Sequence, residues 1–157
     1  MNEYSKRKTK LELWNSLALV LTVITTMFSI ISFVKDIRDV NTESMVQVTT
    51  GSPLFDNAIT IIDIVFSLGF IILFYLAHKT IKLGKIPNVV PYYVNLCWSV
   101  IYLVFFAFSI FNVNNADIHH IVSVLVVILV SIFFLLSKIP VFLMIRSIYI
   151  ENQKKEK

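Results

Sequence analysis

The sequence predicts an all-α fold: an integral membrane four-helix bundle with both termini on the cytoplasmic side. The chain is 57% hydrophobic with a mean hydropathy of +0.78, whereas soluble domains are about 45–50% apolar. The excess lies in four apolar runs, and each is close to the roughly 20 residues that an α-helix needs to cross the bilayer core. The runs are Leu13–Val34, Ala58–Ala77, Tyr92–Phe111 and Ile121–Met144.

Outside these runs the chain offers too few residues for a separate soluble domain, so we expect a single membrane domain over residues 1–157. The first run follows a basic segment, but it is too long for the apolar region of a signal peptide and no small-residue cleavage site follows it. This predicts an uncleaved first helix. The single cysteine, Cys97, cannot form a disulfide within the chain, which excludes membrane enzymes that use a pair of thiols.

The distribution of basic residues predicts the orientation. Of the 14 Lys and Arg residues, 12 lie in the N-terminal tail, the second connection and the C-terminal part, and only Lys35 and Arg38 lie in the first connection. Basic residues near helix ends stay on the cytoplasmic side, so both termini and the second connection are expected inside. No folded soluble surface carries these charges. The expected partner is therefore the lipid bilayer with its anionic headgroups, and not nucleic acid.

A stripe of small and hydroxyl-bearing residues follows one face of the first helix, where its members recur at three- and four-residue steps. Such residues let helix backbones approach closely inside a membrane and can hydrogen-bond to a neighbouring helix. We expect this face to pack against the bundle, with one wall of a polar pathway as the alternative. The stripe comprises Ala18, Thr22, Thr25, Thr26, Ser29 and Ser32.

The first connection, the 23 residues of Lys35–Asn57, is expected to be a long outer loop. Residues 45–50 are rich in β-prone side chains and precede a Gly-Ser-Pro sequence, a pattern typical of a short β-like stretch and a turn. A loop of this length is either a site of partner recognition or a solvated connector. On the inner side, Tyr92 and Tyr93 are expected to form an aromatic anchor at the headgroups.

The fourth helix is longer than the bilayer requires. Its apolar character continues past Lys138 and Pro140 to Ile150, and Pro140 is the expected kink because it removes a backbone hydrogen bond. Lys138 falls near the inner end of the predicted span and is expected to extend toward the inner headgroups. Counted along the helices, its depth differs from that of Asp63 by roughly 15–20 Å, too far for a direct pair.

Asp63 is the residue with the clearest functional implication. It lies five residues into the second run, and an acidic side chain inside a membrane marks a functional site by default because its burial is costly. The alternatives are a hydrogen bond that ties helices together and a carboxylate near enough to the surface to be wet. Polar residues at a similar depth complete the predicted intramembrane cluster, which comprises Asp63, Ser29, Ser32, Ser109, Asn112 and His120.

No catalytic, cofactor or metal site is predicted. Adjacent His119 and His120 point about 100° apart on a helix, and a zinc site needs three or four converging ligands. No nucleophile has a recognisable signature with a positioned base, and no glycine-rich phosphate loop occurs. We therefore expect a protein that is not an enzyme.

The usage of Lys, Ile, Asn and Phe indicates a bacterial source with a low-GC genome, and hence the cell membrane as location. The size and four-pass plan are similar to those of many small bacterial membrane proteins, including some bacteriocin immunity proteins. Small multidrug transporters also have four helices, but they are shorter and carry an acid in the middle of the first span, whereas here Glu12 precedes that span. No residue-level motif supports membership of any of these families.

The sequence leaves two functions open. The first is an accessory, regulatory or immunity-type protein that acts through contacts with another membrane protein, a second copy of itself or an extracellular ligand. The second is a small transporter or channel subunit that uses Asp63 as a proton- or cation-responsive site. The largely apolar inner halves of the second and fourth helices favour the first function, because ion passage requires a polar lining.

Overall fold

A computed structural model describes the backbone of residues 3–42, 53–111 and 118–155, and the side chains over most of 8–35, 58–105 and 128–153. All secondary structure in these ranges is helical. Five helices follow one another along the chain: α1, Glu3–Thr42; α2, Pro53–Lys82; α3, Val90–Phe111; α4, Ile118–Ser137; and α5, Ile139–Lys155.

Each of the first three predicted apolar runs lies within one helix, whereas the fourth extends over α4 and α5. Within the described residues, three segments are long and apolar enough to cross a membrane, and the apolar part of α3, Val90–Phe105, is shorter. The chain is thus an all-helical protein whose apolar helices indicate a membrane protein. The three long segments are Lys8–Lys35, Ala58–Lys82 and Ile128–Gln153.

The helices extend beyond the apolar runs, which corrects the prediction of a 23-residue outer loop. α1 continues past Lys35 to Thr42 and α2 begins at Pro53, so only residues 43–52 separate the two helices. The polar residues after Lys35 can stay helical because a helix satisfies its own backbone hydrogen bonds in water as well as in lipid. Proline suits the first helical position, which needs no N–H donor. The predicted β-like stretch at residues 45–50 lies outside the described residues.

The connection from α2 to α3 is a tight, capped turn. Gly84 adopts the left-handed conformation at φ 76°, and Lys85 N–H donates to Thr80 O at 3.1 Å, which ends α2 in a Schellman motif. The side chain of Asn88 then accepts the N–H of Val90 at 3.0 Å and caps the start of α3. This turn makes α2 and α3 antiparallel neighbours.

The expected interruption near Pro140 is present, and it separates α4 from α5 at Lys138. Pro140 has no N–H for the carbonyl of Leu136, and the residue before a proline disfavours the helical conformation. Lys138 N–H bonds instead to Leu135 O at 3.0 Å, and the helical pattern resumes where Phe142 N–H donates to Lys138 O at 3.1 Å. The predicted fourth span is therefore two helices and not one.

α1 and α2 form an antiparallel pair, the most extensive contact between helices in the bundle. Near one end of the pair, Lys8 Nζ donates to Lys82 O at 2.9 Å. Toward the other end, Ser29 Oγ donates to the carboxylate of Asp63 at 3.3 Å. Going along α1 to higher residue numbers, the bonded residues on α2 have lower numbers. These bonds therefore fix both the antiparallel direction of the two helices and their register.

The hydroxyl stripe of α1 packs against the bundle over most of its length, which confirms that prediction. Ala18, Thr22 and Thr26 are buried, whereas Ser32 is exposed. The two threonine hydroxyls donate to carbonyl oxygens within α1, to Ala18 O and Thr22 O, each at 2.7 Å. The stripe therefore serves close approach of the backbones, while other residues make the hydrogen bonds between helices.

The packed core lies at the end of the bundle that contains the α2–α3 turn. We call this the turn end and the opposite end the far end. At the turn end, α5 packs against α1 and α3. Tyr92 belongs to this core, since its ring stacks on Phe74 with centroids 4.9 Å apart, whereas its neighbour Tyr93 is exposed. The expectation of an anchor formed by both tyrosines is therefore wrong for Tyr92, because the short turn brings the start of α3 directly against α1 and α2. The largest fully buried side chains are Tyr92, Phe74, Ile81, Met144, Ile148, Val141 and Asn15.

Two glycine substitutions are expected to change stability in opposite directions. Gly84→Ala introduces a side chain at a left-handed backbone position and should destabilise the protein by about 1 kcal/mol. Gly69→Ala lies inside α2, where nothing approaches the added carbon within 4 Å, and should stabilise it by about 0.5–1 kcal/mol. The free energy of unfolding is measured by titrating the detergent-solubilised protein with a denaturing detergent. A loss of stability in Gly69→Ala would contradict the open packing described for α2.

Candidate functional site

Asp63 lies on α2 where α1, α2 and α3 meet, and it is buried, with 8% of its surface exposed. Two neutral donors from other helices hold its carboxylate. Ser29 Oγ on α1 donates to Oδ2 at 3.3 Å, and Trp98 Nε1 on α3 donates to Oδ1 at 3.0 Å. Because it accepts hydrogen bonds from α1 and α3, this carboxylate links α1, α2 and α3. An ionised carboxylate can accept about four hydrogen bonds, so these two leave further acceptor sites free.

Lys138 lies in the same layer of the bundle as Asp63, which corrects its predicted position at the inner headgroups. Its Nζ is 5.0 Å from the ring centroid of Phe134, one helical turn earlier. The ring of Phe134 in turn pairs with Tyr102 of α3 at 6.0 Å, and Tyr102 lies one turn from Trp98, which donates to Asp63. The prediction failed because the apolar run was taken to end at Met144, whereas the helix continues as α5 to Lys155 and leaves Lys138 in the interior of the segment.

Aromatic rings join the two charged side chains. Trp98 stacks on Phe66 of α2 with centroids 4.3 Å apart, and Tyr102, one turn further along α3, pairs with Phe134 at 6.0 Å. The phenol of Tyr102 is close enough to Asp63 to interact with its charge. We call this group the charged cleft. It comprises Asp63 and Phe66 on α2, Trp98 and Tyr102 on α3, and Phe134 and Lys138 at the end of α4.

The charged cleft lies between α2 and the end of α4. Over the described residues α4 packs mainly against α3 and α5, and its contact with α2 is not extensive. α2 therefore forms one wall and the end of α4 the other, and Trp98 and Tyr102 of α3 lie between them. The arrangement holds a negative and a positive group on facing helices.

The cleft marks the level at which the tightly packed core ends. On each helix that reaches this level, the buried residue nearest the far end is polar, and beyond it none of the described side chains is buried. These polar groups thus form the last buried layer of the core on the side of the far end. Beyond this layer, the described side chains are half-buried or exposed. These terminal residues of the core are Thr26 on α1, Asp63 on α2, Ser99 on α3 and Ser137 on α4.

A second polar group, centred on Asn15, lies deeper in the turn end. Asn15 Nδ2 donates to Phe74 O at 3.0 Å, and Asn15 Oδ1 accepts the hydroxyl of Tyr92, so one amide connects α1, α2 and α3. On the same helix as Tyr92, Asn95 is also buried, and its Oδ1 accepts no hydrogen bond from the described residues. The sequence analysis did not identify Asn15. An amide inside an apolar run is itself a signal, because lipid offers it no hydrogen-bond partner.

The structure brings together only part of the predicted cluster. Ser29 contacts Asp63, whereas Ser32 is exposed on α1. Ser109 lies in α3 and His120 in α4, but their side chains, and all of Asn112, lie outside the described residues. The sequence did not identify Trp98 or Lys138 as partners of Asp63. For Trp98 a signal existed, since a buried indole N–H needs an acceptor.

Chemically, the cleft provides an ammonium, a carboxylate, a phenol and three further aromatic faces in apolar surroundings. Such a set binds complementary charge and aromatic or apolar groups. Over the part of the chain that the structure describes, no three His, Cys, Asp or Glu side chains converge as metal ligands. Comparison with protein families, with curated proteins and with solved structures finds no match for this chain.

The two charges are expected to depend on each other for stability. Asp63→Asn or Lys138→Met alone leaves one charge without its counterpart in apolar surroundings, so each should destabilise the protein. The double variant should lose less stability than the sum of the two, by about 1 kcal/mol or more. Lys79→Met, at an exposed site near the turn end, is the control and should add independently to Asp63→Asn. Strict additivity of Asp63→Asn and Lys138→Met would show that the two charges do not interact.

Replacing the amide of Asn15 should weaken the turn end. Asn15→Leu leaves the Tyr92 hydroxyl buried without its acceptor and is expected to cost about 1 kcal/mol, at the upper side of values for hydrogen bonds between membrane helices. In the Tyr92→Phe background, the same substitution should cost less, because no hydroxyl remains to be orphaned. Denaturing-detergent titration of the four proteins measures this, with exposed Leu17→Ala as the control. An equal cost of Asn15→Leu in both backgrounds would contradict the Asn15–Tyr92 bond.

Proposed function

We propose that this chain is a non-enzymatic membrane protein that acts by binding, an accessory, regulatory or immunity-type protein whose recognition site is the charged cleft. In this proposal α1, α2, α3 and the combined α4–α5 segment make four passes. The turn end, with both termini, faces the cytoplasm, because 11 of the 14 basic residues then lie inside, whereas Lys138 lies in the cleft and Lys35 and Arg38 lie outside. The charged cleft therefore opens toward the outer half of the membrane, where a ligand or a partner protein can reach it.

The observation that supports binding over transport is the closed core between the cleft and the turn end. Phe74, Tyr92 and Met144 have no exposed surface, and the first two stack at 4.9 Å. The nearby hydroxyls of Thr22 and Thr26 donate to carbonyl oxygens of their own helix and so do not form a chain of exchangeable groups. In this conformation the packed side chains of Phe74, Tyr92 and Met144 close the route from the cleft to the turn end, with the hydrogen-bonded amide of Asn15 beside them.

A small transporter or channel subunit is the second candidate, and the closeness of Asp63 to Lys138 is the observation that favours it. Acidic and basic side chains inside a membrane commonly mark proton and ion pathways. For this function the core at Phe74 and Tyr92 would have to open in a second conformation. The two candidates therefore differ in whether water and ions pass the turn end.

Cysteine accessibility tests the binding proposal. In a Cys97→Ser background, Tyr102→Cys places a thiol in the cleft, Ile101→Cys places one on the exposed neighbouring face of the same helix, and Met144→Cys places one in the closed core. A charged, membrane-impermeant thiol reagent added outside intact cells should modify the first variant only, because lipid surrounds the second and packing covers the third. Modification of Met144→Cys, or equal modification of Tyr102→Cys and Ile101→Cys, would contradict an outward-opening cleft above a closed core.

A flux assay then separates the two candidates. Purified protein in liposomes that contain a pH-sensitive dye should carry no proton flux above that of protein-free liposomes if the chain is a binding protein. A transporter should show flux that Asp63→Asn abolishes and that Lys79→Met leaves intact. Flux with that pattern would replace the binding proposal by the second candidate.

A further inference from the structure

We infer that the charged cleft binds a small zwitterion, an α-amino acid or a compound with the same paired ammonium and carboxylate groups. The ligand's ammonium would lie at Asp63 and its carboxylate at Lys138. This inference rests on the proposed function, since it requires a cleft that is accessible from the outer side.

Both charged groups of the cleft have unused hydrogen-bonding capacity. The carboxylate of Asp63 accepts from two neutral donors, Ser29 and Trp98, whereas an ionised carboxylate can accept about four bonds. The ammonium of Lys138 has three donors, and its contact is with the ring of Phe134. A ligand with one cationic and one anionic group would donate hydrogen bonds to Asp63 and accept them from Lys138.

The positions of the two groups set the order of charges along the ligand. Asp63 is on α2 and Lys138 follows α4, and over the described residues these two helices make no extensive contact. Trp98 of α3 donates to Asp63 and stacks on Phe66, whereas Tyr102 pairs with Phe134, so aromatic faces lie next to the carboxylate. An ammonium group is attracted both by a carboxylate and by such faces, so the cationic end belongs at the Asp63 side.

Charge balance favours a zwitterion over an ion of a single sign. With Asp63 and Lys138 both charged, the cleft is neutral overall. A simple cation would neutralise Asp63 but leave Lys138 without a counter-charge in apolar surroundings, and a simple anion would do the reverse. A zwitterion supplies both counter-charges at once and adds no net charge to the membrane interior.

The test uses Trp98 as the reporter. The chain has two tryptophans, and Trp14→Phe, at the turn end and away from the cleft, leaves Trp98 as the only one. The protein in lipid nanodiscs is titrated with glycine, L-leucine and L-phenylalanine. Each is compared with the matching amine, which lacks the carboxylate, and the matching acid, which lacks the ammonium.

At least one amino acid should change the Trp98 fluorescence saturably, and its amine and acid counterparts should bind about tenfold or more weakly, since each lacks a charge-assisted bond. Asp63→Asn and Lys138→Met should each weaken binding by a similar factor, Lys138→Arg should retain most of it, and Lys79→Met should not change it. Lys138→Arg keeps the test informative even if Lys138→Met is poorly folded, because the arginine preserves the charge.

Three results would overturn the inference. No saturable change with any of the three amino acids excludes this ligand class. Equal binding of an amino acid and its amine would indicate a cation site at Asp63 alone. Binding that survives Lys138→Met in folded protein would remove Lys138 from the site. If the cleft thiol at position 102 is nonetheless modified from outside, the function as a binding protein stands and only the zwitterion fails. If that thiol is not modified, both proposals fail.

Discussion

Apolar surroundings offer no hydrogen-bond partner, and this constraint decides how the helices of this chain fit together. A long polar side chain inside the bundle can find a partner on a neighbouring helix, and two side chains do so. Asn15 does so on α2 and α3 at the turn end, and Asp63 does so on α1 and α3 at the level of the cleft. Apolar contacts alone would allow the helices to slide or rotate against one another. The amide and the carboxylate specify one register.

The bundle is divided by the layer that contains Asp63. On its turn-end side, aromatic and aliphatic side chains fill the space between α1, α2, α3 and α5 without exposure, and the Schellman turn at Gly84 holds α2 and α3 together. On its far side, the described side chains are half-buried or exposed. A closely packed base of this kind positions the polar groups that would meet a ligand.

The interruption of the fourth apolar run connects the backbone to this site. α4 ends at Ser137, three residues before Pro140, and the interruption leaves Lys138 at the level where the packed core stops. The ammonium then lies over Phe134 and within reach of the field of Asp63.

The sequence by itself determined that this protein is all-helical and apolar enough for a membrane, because helix length and hydropathy are local properties of each run. It also indicated the packing face of α1 and the interruption near Pro140. It could not place Lys138 near Asp63, because the depth of a residue depends on where its helix begins and how the helix tilts. It could not reveal that Trp98 and Ser29 share one carboxylate, or that Tyr92 reaches Asn15. Such contacts join residues far apart in the chain, and only the packing of whole helices against one another decides them.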